Sequence, residues 1–335
     1  MLYSLNVRFE QISPDLERVT RMARTKQKGK KRYTIFKDIR RNPLSYLMLI
    51  PAALYTIVFG YMTIPFMFSA FLNYNYRDGL FGSEFVGLKN FEFFFKSNAA
   101  PRVIGNTVYL NIMFIIFTLI VSVTIAILLS ELQKERLKKF MQSTYLFPYF
   151  LSWVVINYVI FTLTSSKYGI INQFLTLCGM KPINFYTKGA YWPTILIIAK
   201  VWKDMGMNIV IYLAVITGFD PQIYEAAMID GAGRFRACIS ITLRLLLPTV
   251  CMLTIMSVGK IFYGDFGMIY ALVGDNGMLQ KTTDVIDTYV FRTLRQTGNP
   301  SQSMAVSLFQ SVLGFVTVCG ANWTARRFFS EGALF

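Results

Sequence analysis

Six apolar stretches, near residues 44–70, 103–130, 141–164, 191–217, 245–272 and 304–325, are each long enough to cross a bilayer, which takes about 20 helical residues. Lipid offers the backbone no hydrogen bonds, so only helices or a closed barrel can span it, and runs this continuous are helical. Composition agrees. Of the 335 residues 54% are hydrophobic and 16% charged, too little polar surface for a soluble domain. The sequence predicts an all-α membrane protein with six transmembrane helices.

The net charge of +16 raises the question of nucleic acid, but its distribution answers it. Residues 1–43 hold twelve Lys/Arg against four acids, half of the whole excess. A basic block directly before a long apolar run is the cytosolic flank of a first membrane span. No nucleic-acid partner is expected. The tail's role is topology and attraction to anionic membrane lipid. With the N-terminus inside, the cytosolic segments collect 21 Lys/Arg, the outside loops ten and the spans three, which favours an N-in/C-in arrangement. The domain organisation expected is a basic cytosolic tail, 1–43, and one membrane domain, 44–335. The apolar run after the tail is too extended for a cleavable signal, so it stays as a span of a bacterial plasma membrane protein. The two long outside loops, 74–95 and 168–189, mix apolar residues with turn formers and are expected to contain short interfacial helices.

Enzymatic constellations are missing. The four cysteines show no CxxC spacing and the chain has no histidine, which excludes a His-ligated metal site and a His-based nucleophile relay. The cysteines read as small apolar packing residues. No Gly-rich Lys-Ser/Thr loop is present for binding ATP in the P-loop manner. Neither a catalytic residue, a metal nor a cofactor is expected in this chain.

One polar loop, 218–244, interrupts the apolar pattern between the fourth and fifth stretches, and it opens with GFDPQIYEAAMIDGAGRF. Asp220 fits a helix N-cap and Pro221 the first helical turn. A short helix then carries Tyr224, Ala227 and Met228 on one side with Glu225 adjacent. Gly231 and Gly233 break it and permit a sharp turn where a bulky side chain would obstruct a partner. The run FRACISITLRLLLP restarts a helix. The loop has the chemistry of a docking knob, not of a catalytic centre.

The stretch Glu225-Ala226-Ala227, three residues, Gly231, nine residues, Ile241-Thr242-Leu243 resembles the EAA motif of the permease subunits of ABC importers. Arg244 stands where that family usually has Pro, and Pro248 follows four residues later. VGLKNFEFFF (86–95) and NTVYLN (106–111) are similar to carbohydrate permeases of the maltose type. The stretch 284–328 resembles a subgroup that imports complex oligosaccharides or polysaccharide fragments. The resemblance covers roughly residues 44–335 and implies the type I importer permease fold. It also implies a second permease subunit, two ATPase subunits that bind ATP and Mg, an extracellular solute-binding protein and an oligosaccharide substrate moved by alternating access. In such importers this loop enters a groove on the ATPase. Tyr224, Glu225, Ala226, Ala227, Asp230 and Gly231 are the coupling residues it implies, with Glu225 against the ATPase and Gly231 supplying the turn.

Charged residues inside spans usually face a partner or a water-filled path. Lys200, Lys203 and Asp204 fall near the middle of the fourth stretch, and Lys260 and Asp265 near the middle of the fifth. Lys200 and Asp204, four apart on a helix, can pair. These five residues read either as structural pairs or as a polar lining for sugar hydroxyls. Trp153, Trp202, Tyr263, Phe266 and Tyr270 could present planar faces to sugar rings, or serve as packing and interfacial anchors. The excess of Lys over Asp would suit an acidic sugar. A self-contained secondary transporter or channel is the alternative, but it would typically show inverted repeats, and no repeat is visible.

Overall fold

The computed structural model describes residues 39–328. Residues 1–38 of the basic tail therefore lie outside the described residues. The chain divides into two units between Ile64 and Pro65. The first holds α1, Pro43–Tyr55, continued by a π-turn Thr56–Tyr61. None of α1's residues is buried.

The second unit is helical apart from a two-residue hairpin, β1 (Leu72–Asn73) against β2 (Glu84–Phe85). Its main helices are α2 (Lys89–Phe95), α3 (Ala99–Ser130), α4 (Glu135–Phe150), α5 (Trp153–Thr164), α6 (Ile170–Leu177), α7 (Trp192–Thr217), α8 (Pro221–Ile229), α9 (Arg234–Val258), α10 (Phe266–Val273), α11 (Ile286–Thr297) and α12 (Pro300–Phe328). Among the described residues four helical runs are long and apolar enough to cross a membrane, and α4 with α5 make a fifth if the bent pair is one span. At 26 residues α7 is about 39 Å long, enough for the expected fourth stretch, and carries Lys200, Lys203 and Asp204.

Two of the expected stretches are not continuous helices. The third, 141–164, bends by 100° between α4 and α5. Leu151 and Ser152 are extended there, and the Ser152 hydroxyl caps α5 by accepting the Val155 N–H. The break leaves carbonyls without helical donors. The Lys203 ammonium donates to those of Tyr149 (2.7 Å), Leu151 (2.5 Å) and Pro148 (3.4 Å). The fifth stretch, 245–272, ends as a helix at Val258, and α10 starts only at Phe266. Asp265 caps α10 by accepting the Met268 N–H. Lys260 and Asp265 thus sit in a non-helical crossing between α9 and α10, not within a continuous helix.

The spine of the unit is α3 against α7. Leu110 and Phe114 pack with Leu196 and Ala199 in one buried cluster, Ala126 and Leu129 with Ile209 and Leu213 in another. In lipid, burying apolar surface gives helices little drive to associate, so close packing of small residues carries more of the association. The crossings show it. Buried Ser122 donates to the Met205 carbonyl. An added Cβ at Gly206 would run into the Tyr145 carbonyl and stand 2.8 Å from Leu146 Cα. Both obstacles are backbone, so a helix must move. Gly206→Leu is expected to cost on the order of 1–3 kcal/mol, seen as a lower melting temperature of the chain in detergent. Unchanged melting would contradict this contact.

A buried polar knot ties the start of α3 to the segment before α11. Asp284, 1% exposed, accepts from Arg292 at 2.5 Å and from the Thr288 hydroxyl at 2.9 Å, with Arg102 at 3.6 Å. Asn106 donates to the Lys281 and Asp284 carbonyls, and the Ile286 N–H reaches the Thr107 hydroxyl at 3.0 Å.

Candidate functional site

Two places gather the residues singled out in the sequence, at the C-terminal end of α7 and along its middle.

Beyond α7 the chain turns into α8. The Asp220 carboxylate accepts the Gln222 N–H at 2.9 Å and Pro221 opens the helix, which satisfies a donor the first turn leaves free. At the other end Gly231 takes φ +78°. The Ala232 N–H reaches the Ala227 carbonyl and the Gly231 N–H that of Met228. This is a Schellman termination with Gly231 at the left-handed position. An added Cβ at Gly231 meets nothing within 4 Å, so the glycine serves conformation, not space. The Tyr224 hydroxyl and Thr242 Oγ1 stand 3.0 Å apart, and Thr242 is buried in α9. Tyr224 therefore anchors α8 onto α9. Thr242 stands in the motif stretch 241–243, but no spacing marked its contact with Tyr224.

Outward, α8 presents Glu225, Ala226 and Asp230 to the surroundings, while Ala227 is half-buried beside Tyr224. Met228 sides with the exposed set instead. Ile229 is 87% exposed and Phe235, at the start of α9, 80%. Leaving large apolar side chains exposed on a fixed turn is costly unless another surface covers them. At the position of Arg244 there is no proline kink. The loop's exit is a π-turn, Cys238–Thr242, within a helix that continues past Pro248.

The second place is an open cavity of about 360 Å³ lined by α3, α7, α9 and the crossing 259–265. Lys200 sits in its wall. Its ammonium pairs with Asp204 at 2.8 Å and with Asp265 at 2.7 Å, and the Trp153 ring lies 5.7 Å from it. The pairing of Lys200 with Asp204 was legible from their spacing, but the bridge to Asp265 was not. Lys260 and Tyr263 also line the cavity, with Asn111, Thr118, Asn208 and Ser257 supplying polar groups, of which only Asn111 stands in a quoted motif. Among the described residues Lys260 has no ion pair, so it is the cavity's cation with a free head. The Tyr263 hydroxyl donates to Ser311 at 3.3 Å and its ring lies against Gly314.

The other sequence candidates fall elsewhere. Lys203 is spent on the carbonyls of the bend, with Trp153 over it at 5.4 Å. Phe266 and Tyr270 stack on each other at 5.2 Å and against Phe291. Trp202 is half-exposed outside the cavity. Behind the cavity, Asp287 of α11 accepts the Gly264 N–H at 2.5 Å and the Gln310 amide at 3.1 Å. Burial pushes its carboxyl above the usual carboxylate range, against these donors.

Residues 122–330 match the family described as the binding-protein-dependent transport system inner membrane component. The chain is 33% identical, over 306 residues, to the polygalacturonan/rhamnogalacturonan transport system permease protein YteP of Bacillus subtilis (strain 168), covering 91% of this chain and 94% of YteP. In structure it is similar to a bacterial ABC transporter involved in the import of the acidic polysaccharide alginate, with a TM-score of 0.80 at 28% identity over 88% of this chain and 99% of that one. A second structure of an alginate ABC transporter, in complex with an alginate pentasaccharide-bound periplasmic protein, is similar with a TM-score of 0.78 at 29% identity, over 88% and 97%.

Proposed function

The chain belongs to the binding-protein-dependent transport system inner membrane components, and on that premise we propose that it passes carboxylate-bearing oligosaccharides through the bacterial plasma membrane by alternating access. It is a permease subunit of an ABC importer. A second, related permease completes the passage, an external solute-binding protein delivers the substrate, and two ATPase subunits bind and hydrolyse ATP with Mg. In this reading the chain has no ATPase site of its own and lies N-in/C-in, with α8 facing the cytosol.

The observation that carries the reading is α8. Its exposed Met228, Ile229 and neighbouring Phe235 stand on a turn fixed by Gly231 and by the Tyr224–Thr242 contact. Such a knob fits a groove on a partner and passes the partner's movement to α9 as a rigid body. Glu225, Ala226 and Asp230 add a polar rim.

For the substrate, support comes from the cavity and from the relatives. The similar permease YteP is named for polygalacturonan and rhamnogalacturonan, and the similar structures concern alginate. Carboxylated sugars are the chemistry these share. Lys260 can meet a sugar carboxylate without first breaking a pair, whereas Lys200 is neutralised by Asp204 and Asp265. A charge-assisted hydrogen bond contributes on the order of 1.5–3 kcal/mol, so Lys260→Gln is expected to lower ATP-driven uptake of oligogalacturonides at low concentration by about tenfold. Uptake of a neutral oligosaccharide, if the importer takes one, should be unchanged. The measurement uses proteoliposomes holding the whole importer, with binding protein outside and ATP inside. Uptake without ATP would overturn the importer reading. Equal loss for acidic and neutral sugars would overturn the role of Lys260.

A further inference from the structure

The segment between α5 and α7 carries a helix turned inside out. In α6, Asn172 is buried, its amide donating to the Ser165 and Ile183 carbonyls and its oxygen accepting the Ile183 N–H at 2.7 Å. Ile170, Phe174 and Leu177 stand on the opposite side, one face of a helix at spacings of four and three. All three are exposed, Leu177 to 85%. A helix of a water-facing loop would put these the other way round.

Two further observations identify what covers this face. Residues 165–191 contain Lys167, Lys181 and Lys188 and no Asp or Glu, and all three lysines are exposed. Apolar residues beside unopposed cations are the composition of a helix lying in a membrane interface with anionic headgroups around it. The face also adjoins further exposed apolar surface, since α6 packs on α5, whose Tyr158 and Phe161 are exposed. The segment leads into the N-terminal end of α7, whereas α8 follows its C-terminal end, so α6 serves the membrane surface away from the coupling helix.

We propose that α6 is an interfacial anchor, with Ile170, Phe174 and Leu177 seated among acyl chains and Lys167 and Lys181 on anionic lipid headgroups. It fixes the bent α4–α5 pair at that surface while α7 and α8 move with the partner subunits.

Cys178, exposed at the end of α6, is a native probe. In the whole importer, with the other three cysteines replaced by serine, a nitroxide on Cys178 is read in nanodiscs containing phosphatidylglycerol. Collision with oxygen is expected to exceed collision with a water-soluble nickel chelate several-fold. That preference should shrink in purely zwitterionic nanodiscs and with Lys167→Gln/Lys181→Gln. Free access of the chelate would overturn the anchor. So would shielding from both reagents, the mark of a protein partner on this face, and so would indifference to lipid charge. If the serine variant does not assemble, the native importer in membranes is alkylated with a charged, membrane-impermeant maleimide and Cys178 is read by peptide mass. Slow modification that accelerates with the double lysine variant supports the anchor, and fast modification of the native chain contradicts it.

Discussion

Asp284→Ala is expected to destabilise the chain by on the order of 3–5 kcal/mol, because it strips the partner from Arg292 while leaving that guanidinium buried. The carboxylate is 1% exposed and serves Arg292, the Thr288 hydroxyl and, at longer range, Arg102, so no water replaces it. The effect should appear as a large drop in melting temperature in detergent and poor recovery from membranes. Asp284→Leu with Arg292→Met, which removes both charges, should recover much of the loss, since an apolar pair of similar volume avoids the uncompensated charge. Melting of the single variant close to wild type, or no recovery by the pair, would contradict the knot's role.

Gly231→Val is expected to abolish ATP-driven uptake while leaving the chain foldable. Nothing stands within 4 Å of an added Cβ, so no clash spreads inward. The cost is local. A β-branched residue at φ +78° is strained by on the order of 1–3 kcal/mol, enough to undo the Schellman turn and swing Ile229 and Asp230 out of register with a groove. Uptake by proteoliposomes and melting in detergent separate the two effects. Wild-type uptake would show that the turn is not part of the coupling.

What was legible in the sequence follows the range of the forces involved. Helix α8 was readable because its determinants are local: Asp220 and Pro221 at one end and Gly231 at the other act within a few residues. The apolar stretches were equally plain, but hydropathy does not register a bend. FPYFLSW reads as apolar through 147–153, yet the chain is extended at Leu151 and Ser152, and what makes that tolerable is Lys203, fifty residues away. For this reason the sequence alone leaves Lys203 among the candidate lining residues. Gly259 and Gly264 do not interrupt an apolar average, so hydropathy alone puts Lys260 and Asp265 inside a helix. The Asp284 knot was invisible. Thr288 and Arg292 lie only four and eight residues beyond Asp284, but Arg102, Asn106 and Thr107 come from α3, and a charge before a helix does not announce whether it is solvated or paired.

In the proposed function α8 is the handle through which an ATPase moves this chain. The most direct test is affinity purification of the chain from its native membrane in mild detergent, as wild type and as Ile229→Asp. Ile229 is 87% exposed, so the substitution leaves the chain's own packing intact and puts a charge only where a partner would sit. The second permease is expected to co-purify with both, and the ATPase with wild type alone. Undiminished ATPase on the Ile229→Asp chain would contradict it.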